Sequence, residues 1–491
     1  MPALDINDER NVRIQKLKEL REEGIDPFPS VASPKQTLAE AYLMKEGDKV
    51  QVVGRIMTKR DMGKIMFCHI QDESSKMQIA FKQDDIGKEI YKLFSKKIDI
   101  GDIVQIKGAR FQTMKGEESI SVAEWTLLTK AIRPLPDKFH GIQDEELRYR
   151  RRYLDLLMNP DLREMFKRKN KFWAGTRAFL EGKGFLEVET PVLETTAGGA
   201  DAEPFATHHN ALDMPVYLRI SMGELWQKRL MVAGFEKTFE IGRQFRNEGM
   251  SREHLQDYTQ MEFYWGYADY EKGMVLVEEM YKFIIEETFG TLIFDIGKFK
   301  GIDLGKKWER VDYSETIKKN LGIDIFDASE DDIKKKLKEL GASYKDGDAK
   351  GRLVDSLWKQ CRKDIKGPAF LMNHPVFVSP LAKRHTDNPE LTQRFQVIIA
   401  GSENGNGYSE LNDPIDQAER FEVQAKMREA GDIEAQMHDQ DFVEALEYGM
   451  PPTCGFGFSE RLFSFLEDKP VRECVLFPLM KPEGTEKNDL E

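Results

Sequence analysis

Residues 238–264 constrain the fold of this chain more than any other segment, because they have the pattern of two strands joined by a charged loop. Apolar and polar side chains alternate along both strands, as in a half-buried hairpin. The predicted polar face carries Arg246, Tyr258, Gln260, Glu262 and Tyr264, and the loop carries His254. Packing alone gives no reason to gather an arginine, two phenols and a carboxylate on one face. We therefore predict a ligand-binding face; the alternative is a half-solvated hairpin with incidental salt bridges.

Length and composition indicate an ordinary globular protein with more than one domain. The 491 residues suffice for two or three domains with their own cores, and 40% are hydrophobic and 32% charged. No apolar run has the length of a membrane span. The N-terminal ten residues are acidic and lack the apolar core of a signal peptide. Scattered cysteines without a disulfide framework suit a reducing cytoplasm, which is the expected location.

Cysteines and net charge exclude several classes of protein. The four cysteines are scattered without a Cys-x-x-Cys pair, which indicates neither a zinc site nor a disulfide framework. A net charge of −13 argues against a chain coated by nucleic acid. Two local basic stretches, Lys59-Arg60 and residues 148–152, could still bind phosphate. The alternative for each is a charged face in contact with solvent.

The chain divides at a proline-containing connector. Residues 1–47 form an N-terminal helix and lead-in. Residues 48–132 contain about five short strands with a helical piece near 86–93, which is typical of a small oligonucleotide-binding (OB) barrel. Residues 133–150 are the predicted linker, and 151–491 the second domain.

The second domain mixes helices and strands. A lysine-rich, mostly helical insertion is predicted at about 293–366. The other predicted elements are a helix at 161–181, a strand at 185–191, the hairpin, and glycine-rich strands at 395–411 and 453–467.

A second polar strand runs through residues 401–410. Asn406, Tyr408 and Glu410 share one face, and the glycines among them allow a ligand close to the backbone. Gly405-Asn-Gly407 lacks the third glycine and the following helix of a dinucleotide fingerprint, so that interpretation is rejected. A third glycine-rich stretch, 454–462, places Arg461 at the start of a helix.

These segments are rich in arginine and carboxylate and offer no nucleophile triad. Such a set indicates chemistry by charge placement on a phosphate-bearing substrate. Reactions of this kind need cations and alignment more than covalent work by the protein.

The motifs resemble those of the class II aminoacyl-tRNA synthetases, specifically the bacterial-type lysyl-tRNA synthetases of subclass IIb. Residues 185–191, 245–249 and 455–461 match the three class motifs in order. Further lysine-family phrases occur at 197–200, 207–211, 406–412 and 447–452. The resemblance implies an α+β protein with an N-terminal OB-fold barrel and a catalytic domain whose antiparallel sheet is flanked by helices. It also implies a homodimer.

The resemblance implies ATP-dependent formation of lysyl-adenylate, followed by transfer of the lysyl group to the 3′-end of tRNA(Lys). By this resemblance, Arg246 and Arg461 are catalytic. The ATP-binding set is Arg246, Glu248, His254, Tyr258, Glu403 and Arg461, and Glu403 with Gln396 is the expected magnesium site.

A lysine pocket also makes physical sense, because an ammonium group removed from water needs an anionic partner. The expected set is Gly199, Glu224, Arg246, Glu262, Tyr264, Asn406, Tyr408 and Glu410. Gly199 and Glu224 would hold the α-amino group, and Glu410 with Tyr264 the ε-ammonium. Aspartate-specific relatives need a cation at the base of the pocket instead.

The barrel has its own predicted role in reading the anticodon. Phe67 would stack on a base, although a core position is the alternative. Arg60, Gln78 and Glu124 correspond to family residues that read uridine edges.

Three positions depart from the family pattern. Gln396 replaces a metal-binding glutamate, which leaves the number of magnesium ions open. Glu253 replaces an arginine, so Arg252 could take over at the triphosphate. The third motif is one residue short.

Three other readings compete with a lysine-specific synthetase. They are a relative specific for aspartate or asparagine, an inactive RNA-binding paralogue, and a truncated paralogue that modifies a protein. The last lacks the barrel, so residues 48–130 argue against it.

Overall fold

The computed structural model describes residues 6–136, 142–200, 202–345, 347–429 and 437–483. The chain forms two compact units, Met1–Met158 and Asn159–Glu491. Among the described residues, no helix combines the length and apolar character needed to cross a bilayer.

The first unit is a small barrel with helices at its margins. Its helices are α1 (Ile6–Glu22), α2 (Leu38–Leu43), α3 (Gln83–Ile86), α4 (Lys88–Lys97), α5 (Glu145–Arg150) and α6 (Arg152–Met158). Its strands are β1 (Lys49–Asp61), β2 (Ile65–Gln71), β3 (Lys76–Lys82), β4 (Ile103–Gln112) and β5 (Glu118–Thr129).

The five strands pair in the order β1-β2-β3-β5-β4, and β4 returns to β1, so the barrel closes. Burial alternates along β1 and β2, which points every second side chain into the barrel. Phe94 of α4 packs 4.0 Å from Phe81 and 5.0 Å from Trp125, measured between ring centroids. The predicted OB-type barrel is confirmed.

The second unit is built on one large sheet. Its helices are α7 (Pro160–Gly182), α8 (Trp226–Val232), α9 (Tyr270–Phe289), α10 (Tyr313–Leu321), α11 (Glu330–Glu339), α12 (Lys350–Cys361), α13 (Pro414–Glu429), α14 (Gln440–Glu447) and α15 (Arg461–Leu466). Its strands are β6 (Leu186–Glu187), β7 (Leu193–Glu194), β8 (Ala206–His209), β9 (Met214–Leu218), β10 (Lys237–Phe245), β11 (Asp257–Gly266), β12 (Ile293–Ile296), β13 (Phe299–Asp303), β14 (Glu309–Asp312), β15 (Ala369–Met372), β16 (Arg394–Ile399), β17 (Ser402–Ser409) and β18 (Thr453–Ser459). Short 3-10 helices occupy Arg362–Asp364, Val376–Val378 and Val471–Cys474.

The sheet order is β14-β15-β16-β17-β18-β11-β10-β6, and only the two outermost pairs are parallel. Helices α7 and α9 pack together, and α9 also packs on β16, β17 and β18. The fully buried side chains of Phe172 and Tyr281 come from these helices. They meet Phe458 of β18 at ring-centroid distances of 5.9 and 5.5 Å. The expected antiparallel sheet flanked by helices is confirmed.

Two predicted elements differ from the structure. The segment 293–366 was expected to be mostly helical, yet it begins with β12, β13 and β14, and β14 extends the main sheet beside β15. Burial in β12 alternates with a period of two, which suits a strand. The strand expected at 185–191 is only two residues long, Leu186–Glu187, because the chain leaves β10 after two paired positions.

Candidate functional site

The hairpin of β10 and β11 forms as predicted and divides its side chains between two faces. Met261 and Phe263 of β11 are completely buried on the face that packs against the core. On the opposite face, Tyr258, Glu262 and Tyr264 line a cavity. In the strand register, Tyr258 lies opposite Gln244 and Glu262 opposite Glu240. The alternation of side chains in a paired strand therefore produces the one-sided polar surface.

The cavity has a volume of about 400 Å³ and is lined by β11, β17, β18 and the loop that closes the hairpin. Every residue predicted to bind ATP, metal or lysine lines it. These residues are Gly199, Glu224, Arg246, Glu248, His254, Tyr258, Glu262, Tyr264, Gln396, Glu403, Asn406, Tyr408, Glu410 and Arg461. The structure thus brings together residues that are more than 260 positions apart, although the role of each remains a prediction.

Three of the glutamates that line the cavity form a buried cluster with one lysine. The side chain of Lys228 is completely buried, and its ammonium group forms ion pairs with Glu224 and Glu410. The hydroxyl of Tyr264 lies 3.2 Å from carboxylate oxygens of both Glu224 and Glu262. We call Glu224, Glu262, Glu410 and Lys228 the carboxylate cluster.

Glu262 and Glu410 differ in the number of hydrogen bonds that their carboxylate oxygens accept. Glu262 Oε1 accepts hydrogen bonds from Gln260 Nε2, Ser221 Oγ and the backbone N–H of Met222, at 2.7 to 3.2 Å. Glu410 is only 1% exposed, and its Oε1 accepts no hydrogen bond from the residues that the structure describes. A buried carboxylate oxygen without a donor is strongly unfavourable, so Glu410 is the member of the cluster best prepared for a cationic ligand.

The cluster perturbs the ionisation of its members. Burial raises the pKa of Glu410 well above its usual value, while the ammonium of Lys228 acts in the opposite direction. Burial also raises the pKa of Glu262, and the charge of Glu224 adds to that shift. For Lys228, burial alone would lower the pKa, but Glu224 and Glu410 outweigh it and raise the pKa. Lys228 is therefore a stable cation at neutral pH.

Sequence reasoning missed Lys228. It lies four residues after Glu224, in the first turn of α8, whereas Glu224 lies in the turn just before that helix. That spacing was the available signal, yet i, i+4 pairs are usually solvated. The next residue, Arg229, instead pairs with Asp439.

The two predicted catalytic arginines also line the cavity. The guanidinium of Arg246 lies 5.7 Å from the ring centroid of Tyr258, and its Nε donates to the backbone oxygen of Ile220 at 3.4 Å. Arg461 begins α15 as predicted, and its Nη2 donates to Ser402 Oγ at 2.6 Å. Both arginines are thus held at the wall of the same cavity.

The loop residues that depart from the family pattern take definite positions. Glu253 forms an ion pair with Arg461, so the unusual carboxylate faces a residue predicted to bind ATP. Arg252 does not reach the cavity, because its guanidinium donates to the carboxylate and backbone oxygen of Asp468, both at 3.0 Å. His254 is exposed, and its Nδ1 lies 2.8 Å from Ser251 Oγ.

The expected magnesium site contains one usable carboxylate. Glu403 accepts hydrogen bonds from Trp358 Nε1 at 2.9 Å and from Gln396 Nε2 at 3.3 Å. The amide oxygen of Gln396 is 3.0 Å from Nε2 of His374, a buried ring. Burial lowers the pKa of His374 well below its usual value, so the neutral ring can donate to that oxygen. Gln396 consequently turns an N–H group, not an oxygen, toward Glu403.

This arrangement fits a magnesium ion held by Glu403 better than one held by Glu403 and Gln396 together. Mg²⁺ is commonly held by one or two carboxylates together with substrate phosphates and water. Glu403 can supply one carboxylate, whereas Gln396 does not fit as a ligand in this conformation. Among the described residues, no group of three or more His, Cys, Asp or Glu side chains could hold a metal.

The barrel residues are only partly brought together. Arg60 and Phe67 are cross-strand partners on β1 and β2, and Phe67 is half-buried, outside the barrel core. Gln78 is 7% exposed, and its amide donates to Ser119 Oγ at 2.9 Å. Glu124 lies five positions beyond Ser119 on β5 and pairs with Lys107.

The uridine-reading role expected for Glu124 from the family correspondence stays a prediction. Glu117 is the carboxylate that reaches β2, where its Oε1 lies 2.9 Å from His69 Nε2. His69 is the cross-strand partner of Gln78. Sequence reasoning missed His69 and Glu117 because the residue opposite each strand position depends on the turn between β4 and β5.

The fold and the cavity define a class II tRNA synthetase with an OB domain. The family described as tRNA synthetases class II (D, K and N) matches residues 144–481. The family described as OB-fold nucleic acid binding domain matches residues 50–128. The chain is 44% identical to the lysine–tRNA ligase of Thermotoga maritima, over 98% of this chain and 97% of the relative. It is 43% identical to that of Bacillus subtilis, over 97% and 98%. The chain belongs to the lysine–tRNA ligase family, which confirms the resemblance.

Proposed function

We propose that the cavity binds lysine and ATP together, forms lysyl-adenylate and pyrophosphate, and then passes the lysyl group to the 3′-end of tRNA(Lys). The observation that carries the proposal is the carboxylate cluster in the wall of the cavity. When its groups are ionised, three carboxylates and the Lys228 ammonium have a net charge of −2. Lysine brings two ammonium groups, which balance that charge.

The cluster also argues against the rival substrates. Aspartate would bring a second carboxylate toward Glu262 and Glu410, and like charges in a buried site are strongly unfavourable. Asparagine would leave Glu410 without a cationic partner. A buried anion without such a partner is a basis for discrimination by several powers of ten.

Arg246 is proposed to organise the chemical step. Its guanidinium would contact the lysine carboxylate, whose oxygen attacks the α-phosphorus of ATP, and the same guanidinium would stabilise the charge that develops there. Its position in the wall of the same cavity as Glu262, Glu410 and Arg461 supports this role. Removing one such donor typically lowers the rate about 100- to 1000-fold.

The remaining cavity residues are proposed to hold the nucleotide. Tyr258 and Arg461 would enclose the adenine from its two sides, with Glu248 near the adenine or ribose and His254 at the terminal phosphates. Glu403 would hold one magnesium ion, which offsets phosphate charge when bound. Gly199 would accept from the lysine α-amino group, while Asn406 and Tyr408 would line the pocket.

The barrel is proposed to bind the anticodon. Phe67 offers an accessible ring next to the cationic side chain of Arg60, which suits stacking on a base beside a phosphate. Gln78 is held by Ser119, and His69 with Glu117 extends the polar surface.

We further propose a homodimer and a cytoplasmic location. Leu186, Val192 and Leu193, in and after the first class motif, are 41–51% exposed, as expected for apolar residues that a second copy covers. Light scattering of the purified chain would measure its mass. All four cysteines are buried free thiols, which suits a reducing compartment.

The decisive experiment is amino-acid-dependent exchange of labelled pyrophosphate into ATP by the purified protein. We expect exchange with lysine and almost none with aspartate, asparagine or arginine. Equal rates with aspartate would refute the pocket assignment, and no exchange with any amino acid would favour an inactive RNA-binding paralogue.

A further inference from the structure

Lys228 is an unusual residue to find at the base of a pocket for a cation. Its side chain is completely buried, and it bridges Glu224 and Glu410, the two carboxylates proposed to receive the two ammonium groups of lysine. The rings of Tyr408 and Phe442 also lie near it, with centroids 5.6 and 5.7 Å from Nζ. The same cation is thus held by both recognition carboxylates and by aromatic faces.

We propose that Lys228 is a resident counter-cation that sets the charge of the carboxylate cluster and thereby the number of ammonium groups the pocket accepts. This inference rests on the proposed assignment of the cavity to lysine. Lys228 is a positioning and specificity-determining residue, because it acts through Glu224 and Glu410.

The electrostatic reasoning follows from the groups that face Lys228. Glu224 and Glu410 pair with it directly, and Glu262 and Tyr264 of β11 lie beside those carboxylates. The ring of Tyr408 on β17 lies 5.6 Å from its Nζ, and Cys454 of β18 lies next to Glu410. Burial raises the pKa of each of these phenols and of the Cys454 thiol well above the usual value, so they stay neutral.

Two other carboxylates near α8 are already paired with arginines, and Glu194 accepts a hydrogen bond from Trp226 Nε1 of α8 at 2.7 Å. Glu240 on β10 pairs with Arg219 at 2.7 Å, and Asp439 at the start of α14 pairs with Arg229 at 3.1 Å. Lys228 is therefore the cation that opposes the three clustered carboxylates within the described structure. Without it, ionised carboxylates would carry a charge of −3, which two ammonium groups cannot balance.

Removal of Lys228 should change how protons and lysine compete. The carboxylates of a neutral variant would repel each other more, so near pH 7 the variant cluster would hold about one proton more than the wild-type cluster. Binding of lysine would then displace about one more proton than in the wild type. By linkage, the KM for lysine should fall with rising pH more steeply, by up to about tenfold for each pH unit.

The test is pyrophosphate exchange by the full-length wild type and by Lys228→Met, with lysine varied at saturating ATP between pH 6.5 and 8.5. Methionine keeps an unbranched side chain of similar length. We expect a KM for lysine at least about tenfold higher at pH 7, the steeper pH slope, and kcat and the KM for ATP within about threefold.

The matched control is Lys130→Met in the barrel. Lys130 is also completely buried between two carboxylates, 2.6 Å from Asp99 and 2.8 Å from Asp102. Exchange requires no tRNA, so this variant should keep the wild-type KM for lysine and its pH slope. Lys228→Arg, which keeps the charge, should retain the wild-type slope even if its KM rises.

The outcomes separate the two proposals. If the wild type exchanges with no preference for lysine, the proposed function fails before any variant is compared. If it prefers lysine but Lys228→Met has the wild-type pH slope, Lys228 only fills space and the inference is wrong. Should Lys228→Met not fold, Lys228→Gln takes its place. A steeper pH dependence of the KM for lysine in Lys228→Arg would also overturn the inference, because that variant keeps the charge.

Discussion

Glu410→Gln is the most direct perturbation of the proposed lysine pocket, because it removes a charge and keeps the shape. The side chain is 1% exposed, its Oε1 has no hydrogen-bond donor among the described residues, and its other oxygen pairs with Lys228. The substitution reduces the net charge of the ionised cluster from −2 to −1. One ammonium group of a bound lysine would then lack its anionic partner.

The magnitude follows from the energetics of buried ion pairs. Loss of one partner of a buried pair costs about 3–5 kcal/mol, and about 1.4 kcal/mol corresponds to a factor of ten. The free enzyme also loses the pair between Glu410 and Lys228, which offsets part of the difference. We therefore expect the KM for lysine to rise about 100- to 1000-fold, with the KM for ATP changed less than about threefold.

The assay is pyrophosphate exchange with lysine and ATP varied separately. Asp102→Asn is the matched control, since it removes a carboxylate from an equally buried ion pair in the barrel, with Lys130. That control should alter thermal stability and neither KM. Comparable losses for lysine and ATP, or a rise in the KM for lysine below about tenfold, would refute the role of Glu410 as ammonium partner.

Three further variants test other parts of the molecule. Phe67→Ala should reduce tRNA charging by about 10- to 100-fold, equivalent to about 1–3 kcal/mol of stacking, while pyrophosphate exchange stays intact; loss of exchange would show a core role. Glu253→Gln should lower the KM for ATP about two- to fivefold, because it frees Arg461 from a half-buried ion pair, and a higher KM would contradict this. Burial raises the pKa of Glu194 to about 7 in the folded chain, because the neutral carboxyl is easier to bury than the anion. The stability that this preference adds to the folded state is complete below about pH 4.5 and is lost as the pH rises through 7. Glu194→Gln should therefore gain thermal stability over the wild type between pH 5 and 8, by at most about 3 kcal/mol, and a pH-independent difference would refute this.

The predicted part of the site depended on local periodicity. A strand directs alternate side chains to one face, so the positions of Tyr258, Glu262 and Tyr264 followed from spacing alone. The same rule placed Asn406, Tyr408 and Glu410 together. The resemblance to a family joined these local faces into one cavity.

The errors occurred where a position depends on partners distant in sequence. The strands β12 and β13 were too short for their pattern to outweigh the helical character of the lysine-rich segment around them. The contact between His69 and Glu117 was missed, because it depends on how β2 and the turn before β5 come together in the folded barrel.

The sequence by itself determined which chemical groups this protein presents: strand faces with arginines, phenols and carboxylates, and the motifs of a lysine-specific class II synthetase. Only the tertiary structure decided which of these groups meet. It buries Lys228 between Glu224 and Glu410, and it turns the amide nitrogen of Gln396 toward Glu403. Periodicity specifies the face of an element, but the charge state and hydrogen-bonding freedom of a buried group depend on neighbours that the folded chain brings from elsewhere.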